Sequence, residues 1–166
     1  MIRRLLMLFT IAAALFAAVG ASPAGSTGSA NYQWIACMEP VEGPCMTEAA
    51  NGPTVTLEGE GTLSIHPKSV TGGGTFSYPG ASGTFTATQL LSFVSYGSLP
   101  PPDEALEGGK ALIRVHLSTG RDAVLTVTCL VGNPPSGAHE GIELAVQGGP
   151  NFTREVEGQT VFIRVP

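Results

Sequence analysis

The chain has 166 residues, enough for one domain of ordinary size and too few for two separate cores. Hydrophobic residues make up 43% and charged residues 13%, against about 25% charged in a typical soluble domain, which excludes the composition of a disordered tail. The 8 Lys and Arg against 13 Asp and Glu give a formal charge of −5. This balance disfavours nucleic-acid binding, which needs clustered basic residues.

The first 21 residues have the pattern of a secretory signal peptide. Arg3 and Arg4 precede an apolar run over 5–19, and small residues at 19–21 favour cleavage after Ala21, with Ala24 as a later option. The apolar run is shorter than the ~20 residues needed to cross a bilayer. We therefore expect a secreted, extracellular protein (or a periplasmic one in a Gram-negative cell) with no membrane association after cleavage.

The remainder predicts a short linker followed by one domain. Residues 22–30 are rich in Gly, Ser and Ala and predict a flexible linker, and residues 31–166 predict a single all-β domain. The 22 glycines and 13 prolines of the chain favour many turns over long helices. Within this domain, residues 31–51 show no clear period and are interpreted as an irregular segment that holds the only tryptophan, Trp34.

Three cysteines allow three single disulfides, each leaving one thiol over. We favour a Cys37–Cys45 bond, because prolines and a glycine between the two help the chain to turn back and export permits oxidation. Cys129 lies within an apolar run and is expected to be a small buried hydrophobic residue.

From Thr54 onward, apolar and polar residues alternate with the period of two that is typical of strands. The predicted strands are 54–66, 74–78, 83–94, 111–117, 122–131, 142–147 and 160–165. Short turns at 79–80 and 118–121 favour antiparallel pairing, and the longest interruption is a loop over 97–109 with three consecutive prolines. Such long loops on β scaffolds are candidates for recognition.

About seven or eight sequential strands predict a small antiparallel β-barrel. Gly59 and Gly61 favour that architecture, because glycines within a strand are typical of a barrel corner or bulge. A β-sandwich is the alternative. An immunoglobulin-like sandwich would place the tryptophan between two cysteines, whereas Trp34 precedes all three.

The alternation does not decide which face of each strand lies inside. If a polar face lined an open lumen, several side chains could contact an anionic ligand. These candidate ligand-binding residues are Arg114, His116, Thr126, Thr128 and Arg164. Glu58, Glu60 and Glu143 could join them as partners or general bases. If the polar face is the outer one, the same side chains face solvent.

The sequence indicates no metal, no cofactor and no assignable catalytic residue. The three histidines lack the local spacing of zinc ligands, and no nucleophile motif is present. Gly72-Gly73-Gly74 lacks the lysine and helix of a phosphate loop. The acidic residues Asp103, Glu104 and Glu107 are expected to be solvated in their loop.

Two segments, 83–93 and 140–152, resemble stretches of uncharacterised secreted bacterial proteins. The glycine-punctuated antiparallel chain ending in Ile163-Arg164-Val165 is also similar in architecture to allene oxide cyclase and dirigent barrels. These resemblances imply a fold and no activity. We therefore expect a secreted, non-catalytic β domain that binds a small molecule, a glycan or a protein partner. The alternative is a barrel enzyme of the cyclase or isomerase type, acting on an apolar substrate through Arg114 and His116.

Overall fold

The computed structural model describes residues 29–37, 45–50 and 52–166. The predicted signal peptide and nearly all of the predicted linker lie outside the described residues. Among the residues described there is no helix long and apolar enough to cross a membrane.

The described residues form one antiparallel sheet of eleven strands, which confirms the all-β prediction. The strands are β1 Asn31–Ala36, β2 Cys45–Ala49, β3 Thr54–Ser64, β4 Ser69–Val70, β5 Gly73–Tyr78, β6 Ala81–Ser98, β7 Leu106–Leu117, β8 Asp122–Cys129, β9 Gly141–Val146, β10 Asn151–Glu157 and β11 Thr160–Val165.

Eight of these strands form a closed ring. It runs from β3 through β2, β10, β9, β8, β7, β6 and β5 back to β3. At one end the ring narrows, because β1 and β11 connect β3 directly to β7. The result is consistent with the predicted barrel, although it is not a perfect one.

The prediction of an irregular segment over 31–51 is wrong, because β1 and β2 lie there. Both strands pair with β3, β1 along 59–64 and β2 along 54–57. A disulfide joins Cys37 to Cys45, as predicted, and so ties the end of β1 to the start of β2. In the sequence, residues 38–44 between these cysteines interrupt the period of two, so the alternation of each short strand is hard to recognise.

Alternate residues of the central strands β7 and β8 point into the ring and fill it with apolar side chains. On β7 these are Ala111, Ile113, Val115 and Leu117, and on β8 they are Ala123, Leu125, Val127 and Cys129. The rings of Trp34, Phe152 and Phe162 are completely buried in the same core. Close packing of this kind is the main source of stability, since each large side chain contributes about 1.5–3 kcal/mol when fully buried.

Gly59 and Gly61 make room for aromatic side chains. A Cβ on Gly59 would lie 2.6 Å from the Phe85 ring, and one on Gly61 would lie 2.7 Å from Nε1 of Trp34. The Trp34 indole in turn donates a hydrogen bond to the carbonyl of Thr71 at 3.2 Å. The two glycines therefore serve packing, and β3 pairs with β1, β2 and β5 without a shift of register.

The long loop predicted over 97–109 is shorter than expected. β6 extends to Ser98 and β7 begins at Leu106, leaving 99–105 between them. Glu107 therefore lies in a strand, and its expected solvation is wrong: the side chain points inward and is only 3% exposed.

Candidate functional site

A pocket of about 220 Å³ lies on the outer face of the ring. Its floor crosses neighbouring strands, from β7 through β8 to β9, where Lys110 pairs with Thr128 and Thr128 pairs with Gly141. Tyr96 of β6 lies at one side and Glu155 of β10 at the other. Residues 137–141, which end the connection from β8 to β9, form the remaining side; we refer to them as the pocket wall.

The connection that carries the wall is held to the sheet at two places. The backbone N–H of Asn133 donates to the Tyr96 carbonyl at 2.7 Å. The Glu140 carboxylate accepts from the N–H of Leu130 at 2.6 Å and from the N–H of Thr160 at 2.9 Å. Leu130 follows β8 and Thr160 begins β11, so Glu140 links the backbones of two strands that do not pair with each other. The wall is thus anchored by its own carboxylate.

Glu155 occupies an unusual position in this pocket. Its Oε1 is buried and, within the described part of the chain, has no hydrogen-bond partner. The oxygen lies directly against Gly141, where a Cβ would collide with it. Burial, followed by the nearby charges of Glu140 and Glu143, raises the pKa of Glu155 from 4.5 to about 7.

The pocket offers both donors and acceptors. The Lys110 ammonium donates, the Glu143 carboxylate accepts, and Tyr96 supplies an aromatic ring with a hydroxyl group. Arg154 also borders the pocket, but its guanidinium pairs with Glu48 of β2. Burial raises the pKa of Tyr96 above its ordinary value of 10.0. This set of groups can bind a small polar molecule by several hydrogen bonds.

The structure brings only part of the predicted ligand-binding set into this pocket. Thr128 lines it, and Thr126 lies next along the outer face of β8, opposite Glu143 of β9. Both threonines are buried, at 7% and 6% exposure. Glu58 and Glu60 belong to β3, which does not border the pocket.

Arg114 and His116 lie farther along β7, on its outer face. Nδ1 of His116 is 2.8 Å from Oδ1 of Asp122, and both side chains are more than half exposed. Asp122 and Arg114 border a separate open groove beside β9. The cyclase-like alternative needs Arg114 and His116 inside the ring, whereas the inward positions beside them are the buried Ile113 and Val115.

Arg164 is at the narrow end of the ring, apart from the other candidates. Its guanidinium is 3.5 Å from Oε2 of Glu107 and 3.3 Å from the Tyr32 hydroxyl. The hydroxyl group of Ser95 donates to the other oxygen of Glu107. These contacts compensate the buried carboxylate of Glu107. Among the five predicted ligand-binding residues, Arg164 is the one that takes part in this cluster.

Sequence reasoning missed Tyr96, Lys110, Glu140 and Glu155. They lie on four different segments: the strand register brings Tyr96, Lys110 and Glu155 into the pocket, whereas Glu140 anchors the wall. The one local signal in the sequence is Gly141, because glycine is the usual residue where the backbone takes a positive φ or is closely approached; in the structure its φ is +111°. Over the described ranges, no group of three or more His, Cys, Asp or Glu side chains is arranged to hold a metal ion.

Similarity to known proteins assigns no role to these residues, so any functional conclusion rests on their chemistry. No protein-family model, no curated protein and no solved structure matches this chain.

Proposed function

We propose that this protein is an exported, non-catalytic β domain that binds a small polyhydroxylated ligand, such as one sugar unit of a glycan, in the pocket beside the wall. The observation that carries the proposal is the pocket itself, in which Lys110, Glu143 and Tyr96 surround about 220 Å³ of space. Pockets for drug-sized ligands measure about 300–1,000 Å³. The space here therefore suits a single ring or the end of a longer chain.

The chemistry of the lining favours hydroxyl groups over a single strong charge. A sugar hydroxyl both donates and accepts, so it can use the Lys110 ammonium and the Glu143 carboxylate at once. The apolar face of a sugar ring can pack against Tyr96, which presents an apolar body and a polar tip. The disulfide is compatible with the oxidising compartment that an exported protein enters.

The proposal is tested by titrating the protein with soluble saccharides while recording its backbone amide spectrum. The panel contains neutral hexoses, amino sugars, uronic acids and their short oligomers. We expect shift changes confined to 137–141 and to strand residues beside Lys110 and Thr128. Lys110→Ala and Glu143→Ala should weaken binding at least several-fold, because each removes a charge-assisted hydrogen bond.

Arg114→Ala is the matched control, since it removes an exposed cation of β7 outside the pocket. It should leave saccharide affinity unchanged. If no saccharide perturbs the pocket at millimolar concentration, or if Arg114→Ala weakens binding as much as Lys110→Ala, the proposed site is wrong.

A further inference from the structure

We propose that protonation of Glu155 controls whether residues 137–139 of the pocket wall, the part that precedes the anchored Glu140, pack against the sheet. With a protonated carboxyl group the wall is closed and the pocket is complete. With an ionised carboxylate the side chain leaves its position beneath Gly141 and the wall opens. The consequence for ligand binding rests on the proposed function, whereas the movement of the wall does not.

The contact between Glu155 and the wall is direct. Oε1 occupies the space that any side chain at position 141 would need, and Gly141 adopts a φ of +111° that favours glycine. Gly141 is also the first residue of β9, where the wall joins the sheet. A change in the position of this carboxyl group must therefore be transmitted to the wall.

The buried oxygen fits a neutral carboxyl group better than a charged one. Oε1 has no hydrogen-bond donor among the described residues. A buried charge without donors is far more costly than a buried neutral polar group. Ionisation at this position consequently favours any arrangement that returns the oxygen to water.

The neighbouring charges also favour the neutral form of the Glu155 carboxyl group. The titratable and charged groups on the elements around Glu155 are Tyr96 of β6, Lys110 of β7, His139 and Glu140 of the wall, Glu143 of β9, and Arg154 with its partner Glu48. Glu140 is held in place by its backbone donors. Glu140 and Glu143 raise the pKa of Glu155, whereas the guanidinium of Arg154 is engaged by Glu48. The midpoint of the movement is therefore expected at about pH 7.

The experiment follows the wall amides and the Glu155 carboxyl carbon by NMR from about pH 5.5 to about pH 8.5. We expect the amides of 137–141 and the Glu155 carboxyl carbon to titrate together, with one midpoint. Glu155→Gln should abolish the titration and keep the wall in its low-pH state. Glu143→Gln should lower the midpoint, because it removes one of the charges that hold the proton on Glu155.

His139 also lies in the wall and carries an ionisable imidazole, so His139→Gln is the essential control. The wall must still titrate in His139→Gln for the inference to stand. If the titration disappears there, or persists unchanged in Glu155→Gln, the inference is overturned. If Glu155→Gln does not fold, the unmodified protein still tests the inference. Wall amides whose shifts stay constant while the Glu155 carboxyl carbon titrates would overturn the inference.

Saccharide affinity at the two pH extremes separates this inference from the proposed function. A closed wall at low pH should bind more tightly than an open one at high pH, and Glu155→Gln should bind equally at both. A wall that titrates without any saccharide binding supports the inference and contradicts the proposed function. If saccharide affinity is the same at both pH values and the shifts of the wall amides do not change with pH, the inference is contradicted and the proposed function stands.

Discussion

Glu140 accepts a hydrogen bond from Thr160, the first residue of β11, with its Oε1 2.9 Å from the Thr160 backbone nitrogen. The second carboxylate oxygen accepts the N–H of Leu130 at 2.6 Å. The Thr160 hydroxyl group lies 2.5 Å from the Thr128 carbonyl and 2.9 Å from Glu140. One side chain thus accepts hydrogen bonds from two backbone N–H groups, one after β8 and one at the start of β11.

Glu140→Ala should therefore destabilise the protein by about 1–3 kcal/mol, because it leaves these donors without a partner. Urea unfolding monitored by circular dichroism measures the loss. Glu143→Ala is the matched control, since it removes a nearby carboxylate without breaking such bonds, and it should change stability by about 0.5 kcal/mol or less. Equal losses in the two variants would show that Glu140 acts only by its charge.

Gly141→Ala tests the contact between the wall and Glu155. The substitution strains a backbone with φ +111° and also places a methyl group on the Glu155 carboxyl oxygen. Gly137→Ala strains a comparable backbone, φ +81°, but its Cβ would meet no atom within 4 Å. The left-handed conformation costs about 1–2 kcal/mol in either variant. We expect Gly141→Ala to lose clearly more stability in urea unfolding, and equal losses would argue against the contact.

Local alternation predicts the central strands well, because each is continuous and has one strongly apolar face. The inward set of β7, with Ile113 and Val115, and that of β8, with Leu125 and Val127, match the sequence pattern. The face of β11 is different. Thr160 and Phe162 are buried on its inward face and the exposed Arg164 lies on that same face at the end of the strand, although the opposite set is the more uniformly apolar one. Thr160 and Arg164 are accommodated by Glu140 and Glu107, which lie far away in sequence.

The pocket could not be predicted, because it depends on strand register. Lys110 and Thr128 are neighbours only through the pairing of β7 with β8, and Glu155 joins them through β9 and β10. The wall adds a contact between Gly141 and Glu155 that no local pattern specifies. Arg114 and Arg164 are predicted as ligand-binding residues because they lie on polar faces of alternating strands, and alternation does not determine which face lies inside.

The disulfide and the buried Cys129 together predict how many cysteines an alkylating reagent can modify. Cys37 and Cys45 are bonded, and Cys129 is buried with a pKa that burial raises, which lowers its thiolate reactivity. Iodoacetamide should therefore leave the native protein unmodified and should add one group per chain after unfolding without reductant. Intact mass measures both results. Modification of the native protein would contradict the burial of Cys129.

Loss of the disulfide should also lower stability. Cys37 and Cys45 are 8 residues apart in sequence, and a loop of this size restricts the unfolded chain by about 2–3 kcal/mol in the entropic description. The Cys37→Ser and Cys45→Ser double variant should show a loss of that order in urea unfolding. Cys129→Ala is the control for removing a cysteine that forms no bond, and its loss should reflect only the cavity that it creates.

The ion pair at the narrow end of the ring should couple Glu107 to Arg164. Arg164→Ala removes the cation 3.5 Å from a carboxylate that is 3% exposed. We expect a loss of about 1–3 kcal/mol, less than for a fully buried pair because Arg164 is half exposed. Adding Glu107→Gln should recover part of that loss, since the uncompensated charge is then gone. A double-mutant cycle in urea measures the coupling, and additive losses would show that the pair contributes nothing.

The raised pKa of Glu155 predicts how the free energy of unfolding depends on pH. Its pKa is about 7 in the folded protein and 4.5 as the ordinary value, so the folded state holds the proton more tightly than the unfolded chain. The stabilising contribution is therefore fully present below pH 4.5 and is lost as pH rises through about 7. The free energy of unfolding of the unmodified protein should fall, relative to Glu155→Gln, across this interval. Because the amide cannot ionise, the difference between the two proteins isolates this one group from every other carboxylate. A difference that stays constant with pH would mean that Glu155 titrates alike in the folded and unfolded chains, and the buried oxygen against Gly141 would then impose no penalty on its charge.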